Sequence, residues 1–271
     1  MHRKVSPITH TVVDRWQIFP LTVGDQQQHI DKSEDLFANI QSGERAILYW
    51  SIARPAGIVL GFSQKRDILN TDPLSKLTCP VYHRRAGGTA VLVGPSLLSL
   101  DVILPAGHPL ILPDIVESYR WFGEVWQEAL LRLGVSSRTV SPEEAHAQRA
   151  LRKEAQTRDY ELLMNRACYG SLSSYEVVVG KRKVVGFDMI RRRAGSLLQA
   201  GVLLSWDTAI LAHALGHTEH EQMLLREGLQ ERAVGLDTLA RRTVEAQEVI
   251  AAFEEVLSVS EGLRYEKQTS L

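Results

Sequence analysis

Cysteine is nearly absent. Two residues, Cys79 and Cys168, stand in a chain of 271, too few for a disulfide framework or a structural zinc site. A thiol-reducing cytoplasm is the expected setting, where a free thiolate survives. No apolar run approaches the ~18–20 residues of a membrane span. The basic start MHRKVSPITHTVVDRWQIF has no apolar stretch behind it, so export is not expected. Charge of one sign is also missing: the net charge is −1 with 23% charged residues, which offers no basic face for nucleic acid or an anionic membrane. Repeats and low-complexity linkers are absent too.

The remaining sequence reads as one large domain with 44% apolar residues, enough for a substantial core. Residues 27–43 predict a helix with Ile30, Leu36 and Ile40 on one side and Gly43 as its stop. Residues 46–52 and 57–62 predict two short strands paired as a hairpin around Arg54-Pro55. Residues 80–105 read as strand, basic glycine turn, strand, and a longer strand from Leu97 to Leu104. The clearest helix is 113–134, where Ile115, Tyr119, Phe122, Trp126, Leu130 and Leu133 recur at helical steps. Trp121 and Trp126 read as core. Residues 141–158 are highly charged and read as a mobile connector or a short surface helix. Strands follow at 174–179, 182–187 and 196–205, and from Trp206 onward the chain is helical. Strands in hairpin-like runs predict an α+β fold with a mixed, largely antiparallel sheet and packed helices.

Three constellations carry possible chemistry. In His83-Arg84-Arg85-Ala86-Gly87-Gly88-Thr89 the glycines let the backbone turn tightly and approach a ligand. The arginines either hold an anionic or carbonyl group or stand solvated on a surface turn. Cys168 is either a buried filler or a nucleophile. Lys183 is either an exposed strand charge or the cation that favours a thiolate and polarises an acyl carbonyl. His213, His217 and His220 fall at helical spacing, as a zinc face or a solvated one; no Glu stands where a metalloprotease needs it, and no metal is assigned. Cys79, directly before Pro80, reads as structural.

Two of these stretches resemble one superfamily together and in order. "YHRRAGGTAVLVGPSLLSLDVILP" is similar to the glycine-loop segment of the lipoate–protein ligase, octanoyltransferase and biotin–protein ligase superfamily. "ACYGSLSSYEVVVGKRKVVG" with "LLQAGVLL" resembles its cysteine-dependent octanoyltransferases. Weaker likeness spans residues 12–258. The resemblance implies a catalytic domain over 1–258, with 206–258 as a helical part and 259–271 as a tail. It implies an α+β domain whose mixed sheet surrounds an acyl tunnel. Arg84, Arg85, Gly87, Gly88 and Thr89 would bind substrate along the glycine loop, Lys183 would contact the acyl carbonyl, and Cys168 would form a thioester. The implied reaction moves an octanoyl or lipoyl group to a lysine of a lipoyl carrier domain. Octanoyl-acyl carrier protein or an acylated H protein would be the donor, and no cofactor is needed. ATP and Mg enter only under the alternative, a lipoate–protein ligase working through lipoyl-adenylate. Departures from the ligase pattern lean toward transfer: Thr89 in place of a third glycine, "VGPSLLS" after the loop, and Gly186-Phe187-Asp188-Met189 after the lysine. Phe187 is expected to crowd a nucleotide or alter the tunnel mouth.

Overall fold

The computed structural model describes residues 16–70 and 79–268, with side chains through residue 259. Two sheets meet around a central gap. The larger is built from β1 (Trp16–Gly24), β2 (Ala46–Ala53), β6 (Leu97–Pro105), β7 (Arg138–Thr139), β8 (Val177–Val179), β9 (Arg182–Arg192) and β10 (Gly195–Leu203). Their spatial order is β1-β2-β6-β10-β9-β8-β7; only the β1–β2 pair is parallel. The smaller sheet holds β3 (Gly57–Leu60) between β4 (Val81–His83) and β5 (Val91–Val93). The α+β expectation therefore holds.

Side-chain alternation with period two divides the large sheet into two faces. Leu48 and Trp50 of β2, Leu98, Leu100 and Val102 of β6, and Leu198, Ala200 and Val202 of β10 form one face. It packs on α2 (Arg120–Arg132), α7 (Leu236–Ala240) and α8 (Ala246–Gln268). Trp50, Trp126 and Phe253 interlock there with ring centroids 4.5–6.1 Å apart, burying large apolar area with edge-to-face geometry. This is the main core.

The opposite face is not uniformly apolar. At one end Ile47, Ile103 and Leu197 pack under Phe37 of α1 (Gln26–Asn39) and Ile40 just beyond it. At the other, Ala53, Leu97 and Leu203 pack under Val59, Tyr82 and Val93 of the small sheet. Between these two clusters the register leaves two rows without large apolar side chains. One is Tyr49–Asp101–Gln199–Asp188; the other is Ser51–Ser99–Gly201–Gly186. Space remains where bulk is missing.

Several expectations change. The strands at 46–52 and 57–62 do not pair, because Arg54-Pro55 carries the chain from one sheet to the other. The fully buried residues of α1 are His29, Ser33 and Phe37, with the expected Ile30 and Leu36 partly buried beside them; a polar-lined roof hides from an apolar periodicity. Ile115 is exposed, since the regular helix starts only at Arg120 after a 3-10 turn. The segment 141–158 is largely helix: α3 (Pro142–Ala150), capped by Ser141, packs Ala145 against Val140 and Val178. The three histidines do not share a helical face, because α5 (Ala209–Leu215) ends at Gly216 before α6 (Glu219–Arg232) begins. Strand β1, α4 (Arg158–Met164) and the pairing of β3 with β4 had no clear signal in the sequence. Helix α8 extends to Gln268.

Candidate active site

Cys168 opens a 3-10 turn, Cys168–Gly170, that four ties hold in place. Cys168 N donates to Ala90 O at 2.9 Å, and Lys183 Nζ donates to Cys168 O at 2.8 Å. Tyr169 Oη donates to Gly201 O at 2.7 Å, and Arg232 Nη1 donates to Gly170 O at 2.7 Å. Ala90 ends the glycine loop and pairs with Ala167 in a parallel bridge. The two motifs that resembled one family are thus hydrogen-bonded neighbours. Gly61 supports the arrangement: a Cβ there would run into Gly88 O, and Gly88 itself takes φ +81.

Lys183 is buried, 1% exposed, so the edge-charge reading falls. Besides Cys168 O, its ammonium meets the Glu176 carboxylate at 2.8 Å and lies 5.5 Å from the Tyr169 ring centre. Glu176 is equally buried and also accepts from Phe187 N at 3.3 Å. Burial pushes the Cys168 thiol up; the Lys183 and Arg84 charges pull it down, while Glu176 and Asp188 push it further up. Burial thus favours the protonated sulfur, and the two cations favour its ionised form.

Cys168 lines a cavity of about 90 Å³, measured as room for the centre of a water-sized sphere. Gly186, Gly201 and Ser99 lie on its floor, His29 and Ser33 of α1 form its roof, and Val59, Val91 and Val93 form a wall. The floor also carries Asp101, Gln199 and Asp188. Gln199 Nε2 donates to Asp101 Oδ1 at 2.7 Å. Arg84 Nε reaches Asp188 Oδ2 at 3.1 Å and also holds the loop through Gly87 O and Thr89 O. Burial raises both carboxyls to about 6, although Arg84 opposes this at Asp188.

The predicted residues therefore divide. Cys168 and Arg84 line the cavity, and Lys183 supports Cys168 from behind. Gly87, Gly88 and Thr89 shape the turn around the Arg84 side chain and are not among the lining residues. Arg85 points away, paired with Glu34 of α1 at 2.9 Å. Phe187 is among the residues lining the cavity, and its ring packs on Phe122 at 4.8 Å in the main core. Residues that sequence reasoning missed are Glu176, Asp188, Asp101, Gln199, His29 and Tyr169. Of these only His29 lies outside the quoted stretches; the other five stood there as letters, with no cue that they face one another.

The family model for the lipoyl protein ligase A/B catalytic domain matches residues 25–258. The chain belongs to that family. Among lipoyl protein ligase A/B relatives, octanoyltransferase LipM of Exiguobacterium sp. is 32% identical over 74% of this chain and 69% of its own length. The Exiguobacterium sibiricum octanoyltransferase LipM is 28% identical over 89% and 85%. Solved structures share the fold. The bipartite lipoate protein ligase of Thermoplasma acidophilum has a TM-score of 0.69 at 19% identity, covering 92% of this chain and 83% of that one. A lipoate-protein ligase A bound with ATP has a TM-score of 0.66 at 18% identity, covering 92% and 85%. Among the described residues no helix is long and apolar enough to cross a membrane.

Proposed function

We propose that the protein is an acyltransferase of lipoate assembly that carries a medium-chain acyl group on Cys168 and delivers it to a lysine of a lipoyl carrier domain. The observation that carries this reading is the placement of Cys168 at a narrow cavity, with its main chain pinned and the Lys183 and Arg84 charges acting on its sulfur. The octanoyltransferase relatives supply the acyl class and the type of transfer.

The thiolate of Cys168 attacks the carbonyl carbon of a thioester donor. A new C–S bond forms, the donor C–S bond breaks, and the departing thiolate takes the proton lost by Cys168. The acceptor lysine, as free amine, then attacks the acyl-enzyme. A C–N bond forms, the Cys168 C–S bond breaks, and the proton shed by nitrogen returns to sulfur. Thioester exchange is nearly isoenergetic and amide formation runs downhill, so no nucleotide enters the balance. The Lys183 and Arg84 fields favour the anionic charge that passes through each tetrahedral state. Lys183 is a positioning residue here: its hydrogen bonds fix the carbonyl of Cys168 and the Glu176 carboxylate.

Octanoyl-acyl carrier protein and an acylated H protein are the donors to assay, with an unmodified lipoyl domain as acceptor. The expected outcome is transfer without ATP and no lipoate-dependent exchange of pyrophosphate into ATP. Exchange together with ATP-dependent transfer would replace this reading with ligation.

A further inference from the structure

Amide formation leaves a proton to be moved. The acceptor nitrogen sheds it as the C–N bond forms, and the Cys168 sulfur regains one as the C–S bond breaks. Neither cation near Cys168 can carry it. The Lys183 ammonium is spent on Cys168 O and the Glu176 carboxylate, and the Arg84 guanidinium has no acceptor to offer. Glu176 is itself matched by Lys183, Ser173 N and Phe187 N. In the cavity, His29 has both ring nitrogens engaged, with Tyr49 Oη at 2.8 Å and Ile52 O at 3.2 Å. Asp101 is held by Gln199 and by Ser33, and Tyr169 donates to Gly201 O.

Asp188 differs from all of these. It lines the cavity from β9, two residues beyond Gly186 on the same face, so their Cα atoms stand about 7 Å apart along the strand. Gly186 lies beneath Tyr169, the neighbour of Cys168: a Cβ on Gly186 would stand 3.6 Å from Tyr169 Cζ. Arg84 Nε fixes Asp188 Oδ2 at 3.1 Å, and the loop that carries Arg84 ends at Ala90, whose carbonyl accepts from Cys168 N. Oδ1 is buried and accepts from nothing among the described residues. The side chain as a whole keeps 18% of its surface exposed, so a group entering the cavity can reach it. A buried acceptor left unmatched is costly at rest and is satisfied when a donor arrives. Burial also raises this carboxyl to about 6, which suits a group that takes and returns a proton near neutral pH.

We infer that Asp188 is the proton carrier of the second half-reaction. Its Oδ1 takes the proton from the attacking lysine nitrogen as the C–N bond forms, and passes it to the Cys168 sulfur as the C–S bond breaks. The carboxylate ends as it began, so atoms and charge balance. This rests on the acyl-enzyme reading above and adds a catalytic residue to it. Loading has no such need, because Cys168 attacks as a thiolate and the donor leaves as one. Removing the Asp188 charge favours that thiolate.

The test separates the two halves in the full chain. The parent and Asp188→Asn are loaded with octanoyl-acyl carrier protein. Each acyl-enzyme is then isolated and discharged onto excess lipoyl domain or onto hydroxylamine, with every step followed by intact-protein mass spectrometry. The expected result is discharge onto the lipoyl domain slowed about 100-fold or more, with loading no slower than the parent's. Hydroxylamine is small, weakly basic and able to shed its proton to water, so it should discharge both proteins within about threefold of each other. If Asp188→Asn does not fold, Asp188→Ala replaces it, with Arg84 still held by Gly87 O and Thr89 O. Lipoyl-domain discharge as fast as the parent's overturns the inference while leaving the acyl-enzyme intact. Equal slowing of loading and of both discharges also overturns it, since Asp188 would then be only a support for Arg84. No adduct on the parent itself would instead remove the acyl-enzyme reading, and this inference with it.

Discussion

At the scale of single residues, the telling pair is Lys183 and Glu176. Both are 1% exposed, and each completes the other's hydrogen bonding. Removing one partner strands the other charge in the core, which costs about 3–5 kcal/mol. Lys183→Met is therefore expected to lower stability by that amount in chemical denaturation. Combining it with Glu176→Gln should recover most of the loss. Acyl loading of Cys168 should stay slow in the double variant, because the tie to the Cys168 carbonyl and the positive field are both gone. Recovery of stability and loading together would reduce Lys183 to a structural role. The lysine was legible in the sequence through its motif; its partner was not, because nothing in "SYEVVV" says that the glutamate turns inward. Cys168 stood alone as a candidate thiol, but its chemistry depends on charges from β9 and the glycine loop that only folding brings near.

At the scale of elements, function rests on a short turn wedged between packed pieces. The Cys168–Gly170 turn lies against the end of α4: a Cβ on Gly170 would fall on Met164 O, with Leu229 Cδ2 of α6 at 3.1 Å. Gly170→Ala must push the turn away from α4 and α6, an overpacking cost of about 1–3 kcal/mol. The expected outcome is a lower melting temperature together with slower Cys168 loading, read by calorimetry and mass spectrometry. Unchanged loading with lowered stability would show that the turn tolerates displacement. Most strands and the long helices were legible because alternation and helical periodicity announce a buried face. The supposed hairpin at 46–62 misled, because two adjacent apolar runs look alike whether they pair together or serve different sheets. Strand β1 escaped for a different reason. Of its nine residues only Trp16 is fully buried, so its membership comes from backbone pairing with β2, which leaves no periodic trace.

At the scale of the whole molecule, two apolar clusters on one sheet face hold open a gap floored by polar residues, and the fold bears a stability cost for it. Asp101 ordinarily ionises near 3.8 and is raised to about 6 by burial. A carboxyl raised on folding binds its proton more tightly in the folded chain, so stability falls as pH climbs from about 4 to about 6. Linkage puts the full penalty at about 3 kcal/mol above that window. Asp101→Asn keeps the acceptor for Gln199 and removes the titration. It is expected to be more stable than the parent above pH 6 by up to that amount, with the gain vanishing toward pH 4. Denaturation at several pH values checks this, and a gain independent of pH would contradict it. Asp101 and Asp188 were invisible as site residues in the sequence. An acid in a strand reads as a solvent-facing position, and only the register of β6, β10 and β9 aligns these two on one face.

The most direct measurement is the mass of the protein after incubation with octanoyl-acyl carrier protein, followed by peptide mapping. The account predicts one acyl group, bound as a thioester, located on Cys168, released by hydroxylamine and discharged onto an added lipoyl domain. An unmodified Cys168 in a preparation that still acylates the lipoyl domain, with Cys168→Ser equally active, would contradict it.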